Sequence, residues 1–245
     1  MATVIAGISG AIGSALAQQY LEAWPEQPVI GLCRHPERVP EELRQDSRVH
    51  LVPWQAECPA DGLDDAAVGD VLSAAVGLQN LIYAAGLLHD DTLFPEKRLE
   101  QLSAESLARA FQVNCTGFGL LVQALAPWLR GKQFKRVAAV SAKVGSISDN
   151  HLGGWYAYRC SKAALNMMVR NLSVELPRRY GPIACVALHP GTTRSALSEP
   201  FSQSLANLKV HEASETASNL YRILASLSEA DNGRFIHWDG SDLPW

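Results

Sequence analysis

Short, mainly apolar runs recur at 4–6, 29–33, 49–52, 81–85, 137–140 and 183–188, while longer stretches between them space their apolar positions at helical intervals. The short runs predict buried parallel strands, because a strand covered on both faces carries apolar residues without alternation. The longer stretches, 14–24, 65–76, 104–130 and 156–179, predict helices. Strand and helix therefore alternate, and a last strand is expected at 234–238. The predicted fold class is α/β, a doubly wound parallel sheet of Rossmann type.

One domain spanning 1–245 is expected from the chain length. The Pro/Asp-rich stretch 53–65 reads as a loop leading into a helix rather than a linker, and no internal repeat appears. Residues 195–210 are the least patterned part of the C-terminal half and read as a substrate-loop segment. With 47% apolar residues, 19% charged residues and a net charge of −4, the composition argues against nucleic acid or anionic lipid as a partner and favours a small ligand. The five cysteines, at 33, 58, 115, 160 and 185, are scattered and mostly set in apolar runs. They read as buried reduced thiols in a cytoplasmic protein, with no disulfide framework and no metal cage. No basic segment leads into an apolar stretch at the N-terminus, and no run of about 18 uncharged apolar residues follows, so neither export nor membrane insertion is expected.

Chemistry enters at the end of the first strand. Gly7-Ile8-Ser9-Gly10-Ala11-Ile12-Gly13 turns from strand into helix, and its small residues allow backbone N–H groups to approach a pyrophosphate at a helix N-terminus. The second strand ends Gly31-Leu32-Cys33-Arg34-His35, without the acid that would bind an unmodified ribose. Arg34 offers a 2′-phosphate a planar fork of donors instead, so NADP(H) is favoured over NAD(H). Further on, Tyr158 and Lys162 stand four residues apart in a helical stretch and share a face. An ammonium beside a phenol favours phenolate, which predicts a lowered tyrosine pKa and a group able to exchange a proton with a carbonyl or alcohol.

Gly7 to Gly13, Ala84-Ala85-Gly86, Asn114, Ser141, Tyr158 to Lys162 and Pro190-Gly191 occur in the order of the short-chain dehydrogenase/reductase family, which the chain resembles over nearly its whole length. It looks most like the C-factor and Sniffer-type carbonyl reductase group, through Val144-Gly145-Ser146-Ile147, the run from Gly153 to Arg159, His189-Pro190-Gly191 and the ending from Asp239 to Trp245. The resemblance implies hydride transfer between nicotinamide and a carbonyl or alcohol carbon, without metal. Tyr158 would be the general acid in reduction, Lys162 would hold the ribose hydroxyls and depress the Tyr158 pKa, and Asn114 would anchor a proton-relay water. Ser9, Gly10, Ala11 and Ile12 would lie along the pyrophosphate, Ala84, Ala85 and Gly86 along the cofactor, and Pro190, Gly191 and Thr193 beside the nicotinamide. The long helices at 104–130 and 156–179 imply a homo-oligomer.

The sequence departs from the family at several points. The serine that binds the substrate oxygen is replaced by Ala142, so Ser141 or Ser146 would have to supply the hydroxyl, although strand alternation turns Ser141 away. Ala11 and Ala84 stand at a usual glycine and a usual asparagine. At Val52-Pro53-Trp54-Gln55 the usual adenine-binding aspartate is missing, leaving Trp54 or backbone groups for that task. The leading expectation is a carbonyl reductase for a small or medium apolar aldehyde or ketone, with Trp155, Leu197 and Phe201 as pocket walls. The alternative is a nucleotide-binding regulatory or signalling protein of the same fold with little turnover. An epimerase or dehydratase would use the same Tyr/Lys pair but generally carries an added C-terminal domain, for which 245 residues leave little room.

Overall fold

The computed structural model describes residues 1–57, 63, 65–201 and 209–245. Strands β1 (Ala2–Ala6), β2 (Val29–Cys33), β3 (Val49–Pro53), β4 (Leu78–Tyr83), β5 (Lys135–Val140), β6 (Ile183–His189) and β9 (Phe235–His237) form a seven-stranded sheet in the order β3-β2-β1-β4-β5-β6-β9. Every pairing is parallel. Two short strands, β7 (Thr192–Thr193) and β8 (Val210–His211), pair in a separate parallel ribbon.

Helices α1 (Ala11–Ala23) and α7 (Ala213–Ser226) cover one face, with the short α2 (Glu41–Gln45) at its edge. Helices α3 (Asp65–Ala74), α4 (Ala104–Phe111), α5 (Gly117–Leu125) and α6 (Tyr156–Tyr180) cover the other. Each strand divides its side chains between two cores: Val4 and Ala6 pack toward one helical layer and Ile5 toward the other, all three fully buried. This two-sided burial explains the continuous apolar runs of the sequence. Strand order reverses at β1, whose neighbours are β2 and β4, so the chain connections after β1 and β4 run to opposite sides and leave a crevice at the carboxyl ends of the strands.

Three features differ from the sequence expectations. The helix expected over 104–130 is interrupted by a wide π turn, Gln112–Thr116, and closes in a 3₁₀ turn, Ala126–Leu129. Helix α7 and the β7–β8 ribbon have no counterpart among those expectations. Cys33, Cys115 and Cys185 are buried free thiols as expected, but Cys160 is exposed because it lies on the outer face of α6; Cys58 lies outside the described residues. Much of the 53–65 loop and residues 202–208 of the expected substrate segment also lie outside them.

Candidate active site

The chain from β1 into α1 has no space for a side chain at Gly7 or Gly13. Gly7 has φ +86°, and a Cβ there would stand 2.7 Å from the Ala85 nitrogen; a Cβ on Gly13 would stand 2.2 Å from the Gly7 carbonyl oxygen. The loops after β1 and β4 thus meet backbone to backbone. Gly10 occupies the N-cap of α1 with no capping side chain, and the first turn contains no acid, so the free N–H groups and positive end of the helix face an open cradle. That cradle fits a pyrophosphate.

A cleft of about 700 Å³ runs from this cradle along the strand ends. Gly7, Ser9, Gly10, Ala11 and Ile12 line one end, while Gly13 packs behind them. Arg34 stands at the rim, with Nη1 3.2 Å from Glu57 Oε1, and Arg38 lies on the same wall. Trp54 is buried edge-on against Tyr83 and also lines the cleft, its indole N–H without a partner. Ala84, Ala85 and Gly86 form the middle wall, and Pro190, Gly191 and Thr193 the wall opposite. Thr193 reaches the cleft with its hydroxyl already paired, 2.9 Å from that of Thr216 on α7.

Tyr158 and Lys162 lie one turn apart on α6, with Lys162 Nζ 5.8 Å from the Tyr158 ring centre. Lys162 is 3% exposed and donates to the Val140 carbonyl at 2.9 Å. Asn114 sits inside the π turn, wholly buried, and holds the loop after β4 by two bonds: its Oδ1 accepts from Leu87 N–H at 2.7 Å and its Nδ2 donates to Leu87 O at 2.8 Å. The same Nδ2 lies 2.9 Å from Ser161 Oγ, which donates to the Tyr158 carbonyl. A Cβ on Gly86 would stand 3.5 Å from Asn114 Oδ1 and 3.6 Å from Lys162 Nζ, so both groups border one small space behind the cleft wall.

The electrostatics correct one expectation. Burial raises the Tyr158 phenol to about 12 rather than letting the lysine lower it, and burial pushes the Lys162 ammonium down to about 8. Desolvation is the leading cause of both shifts, because taking either charged form out of water costs free energy. At neutral pH the phenol keeps its proton.

The two serines differ in place. Ser141 lines the cleft, but its hydroxyl donates to Asn166 Oδ1 on α6 at 2.6 Å. Ser146 is buried off the cleft, with its Oγ accepting from Asp149 N–H. His189, quoted in the sequence motif without a role, lines the cleft; its Nδ1 accepts from Lys143 N–H at 3.3 Å, and burial pushes its pKa down to about 3. A neutral imidazole therefore holds the turn after β5.

The far end of the cleft is aromatic. Trp155 packs on Phe201 with ring centres 5.0 Å apart and stands 6.3 Å from the Tyr158 ring. Phe201 also touches Phe94 and His89. His89 Nε2 lies 3.2 Å from the carbonyl oxygens of both Ala196 and Leu197, which fixes its proton on that nitrogen and ties the loop after β4 to the segment after β7. Neither His89 nor Phe94 carried a sequence signal, since both lie in an irregular stretch.

Comparison with known proteins agrees with this geometry. The family model for short chain dehydrogenases matches residues 1–206. The chain is 37% identical over 139 residues to the C-signal protein of Myxococcus xanthus, covering 57% of this chain and 78% of that protein. It is 29% identical over 210 residues to 1-hydroxy-2-glutathionyl-2-methyl-3-butene dehydrogenase of a Rhodococcus species, covering 78% and 87%. Among solved structures, NADPH-bound carbonyl reductase from chicken fatty liver superposes with a TM-score of 0.81 at 26% identity, covering 100% of this chain and 94% of that one. Carbonyl reductase Sniffer of D. melanogaster shares the fold, with a TM-score of 0.83 at 24% identity over 100% and 99% of the two chains. A glycine cradle at the first strand, a Tyr/Lys pair on the cleft wall and a family match over most of the chain make this protein an oxidoreductase that belongs to the short-chain dehydrogenase family.

Proposed function

We propose that the chain is an NADP(H)-dependent carbonyl reductase for small or medium apolar aldehydes and ketones, with Tyr158 as the proton donor. The observation that carries this reading is the position of Tyr158: it lines the cleft between a phosphate cradle at one end and an aromatic wall at the other, and its phenol is protonated at neutral pH. A nicotinamide cofactor held by these residues would supply the hydride. Gly10, Ala11 and Ile12 would hold the phosphates, and Arg34 would exchange Glu57 for a 2′-phosphate. The NADPH-bound carbonyl reductase among the structural relatives supports that cofactor.

As the substrate carbon is reduced, Tyr158 Oη gives its proton to the carbonyl oxygen. Lys162, with a pKa near 8, is able to release a proton at working pH, and Asn114 borders the same space. Ser141 donates its hydroxyl to Asn166 and Ser146 lies off the cleft, so in this reading Tyr158 carries the hydrogen bond to the substrate oxygen without a serine beside it. Trp155, Leu197 and Phe201 line the end that would receive an apolar substituent.

Two further features support finer readings. The reduced thiols of Cys33, Cys115 and Cys185 suit the cytoplasm, and no described helix is long and apolar enough to cross a membrane. Cys160, Met167 and Val174, all exposed and seven residues apart on α6, form a face suited to a second copy of the chain.

Fluorescence titration with NADPH and NADH, followed by a panel of aldehydes and ketones, tests the proposal. Tyr158→Phe is expected to lower kcat/KM by about a hundred- to ten-thousandfold while leaving NADPH binding nearly unchanged. Undiminished turnover in that variant would refute the assigned mechanism.

A further inference from the structure

Glu96 sits in a run of polar residues, Pro95-Glu96-Lys97-Arg98, where a carboxylate would ordinarily face water. It is instead 4% exposed. Its Oε2 accepts from Ala157 N–H at 3.1 Å, its main-chain oxygen accepts from Trp155 N–H, and its Oε1 is buried with no partner. Burying an unpaired carboxylate oxygen costs stability, so packing alone does not account for the residue.

The start of α6 shows what Glu96 does. The helix has no cap of its own: Trp155 at the N-cap position bears no capping side chain, and the first turn has no acid. The chain enters through Gly153, Gly154 and Trp155, all with positive φ, at 65°, 65° and 51°. This left-handed entry wraps around Glu96; a Cβ on Gly154 would stand 3.4 Å from its carbonyl oxygen. Ala157 is the second residue of the helix, whose N–H is normally taken by the side chain at the N-cap. Glu96 supplies that acceptor from the loop after β4, and its charge suits the positive end of the helix. Arg159 grips the other side, donating to Gly153 O and Val144 O.

The turn so held carries Trp155 and Tyr158. We propose that Glu96 is a positioning residue, an external cap that sets Tyr158 at its working depth in the cleft and aims the Trp155 ring across the substrate end. The inference rests on Tyr158 being the proton donor. The carboxylate acts through its reach, by accepting the Ala157 N–H.

Two conservative variants separate reach from charge. Glu96→Gln keeps an oxygen at the same distance and loses the charge; Glu96→Asp keeps the charge and withdraws the oxygen. Glu96→Gln should retain kcat within about threefold of the parent, whereas Glu96→Asp should lose about ten- to a hundredfold, the size expected of a misplacement on the order of 1 Å. NADPH affinity, set at the other end of the cleft, should stay the same in both. Steady-state kinetics are measured where circular dichroism shows all proteins folded, so a purely stabilising role would move the melting temperature and leave kcat alone. Parental kcat in Glu96→Asp, or an equal fall in both variants, overturns the proposal. Tyr158→Phe is assayed in parallel: if it remains active, the reading of Tyr158 has failed, whereas its inactivity beside a fully active Glu96→Asp isolates the failure to Glu96.

Discussion

Burial moves the Lys162 ammonium from 10.5 down to about 8, so between those pH values the unfolded chain still binds a proton that the folded chain has released. Folding stability should therefore rise with pH across that window, by at most about 3 kcal/mol, with the full penalty present below pH 8. Tyr158 acts in the opposite sense and later: its phenol is raised from 10 to about 12, so its contribution is lost only above pH 10. Urea unfolding of the parent and of Lys162→Met between pH 7.5 and 9.5 should show the parent gaining on the variant; parallel curves would mean that the ammonium is better solvated than its burial implies. The Tyr/Lys pair was legible because helical spacing alone puts residues four apart on one face. The direction of the phenol shift was not, because desolvation depends on surroundings contributed by other strands. Glu96 was illegible for a related reason: a glutamate in a polar run looks solvated until the loop around it is seen to close.

The π turn is the element on which the site's inner wall depends. Leu87 N–H and C=O both pair with Asn114, whose position inside the turn places it between the loop after β4 and Ser161 on α6. Asn114→Ala should strand those two backbone groups and destabilise the protein by about 1–3 kcal/mol, with activity falling further than stability because the wall beside Lys162 loosens. Chemical denaturation together with turnover checks both; an unchanged midpoint would show that water replaces the amide. Hydrophobic periodicity predicted one helix over 104–130 because widening a single turn shifts the apolar stripe too little to register in the pattern. Helix α7 has no clear sequence signature, although six of its residues are buried, because polar residues such as Ser214, Glu215, Ser218 and Asn219 break up the apolar positions among them.

At the scale of the molecule each expected strand was recovered, since the inner strands' two-sided burial leaves a signature in the sequence that does not depend on knowing the partner strands; the edge strand β3, half exposed, is the weakest of these runs. What the runs could not encode is how far apart in sequence the components of the site lie. The outer face of α6 makes a separate statement. Met167 and Val174, 60% and 47% exposed, are large apolar residues with no cover in the single chain. Met167→Glu combined with Val174→Lys should shift the protein to a monomer by light scattering coupled to size exclusion, and a parent that is already monomeric would remove that reading.

The sheet order has a consequence for synthesis. Strand β9 docks on β6 with His189 opposite His237, beyond every residue assigned to the chemistry. A nascent chain translated through β6 already contains Tyr158, Lys162, Asn114 and the glycine cradle, but the edge carrying His189 has bare backbone groups and invites mispairing. A nascent chain stalled before β9 would therefore be expected to leave the backbone groups of the β6 edge unpaired.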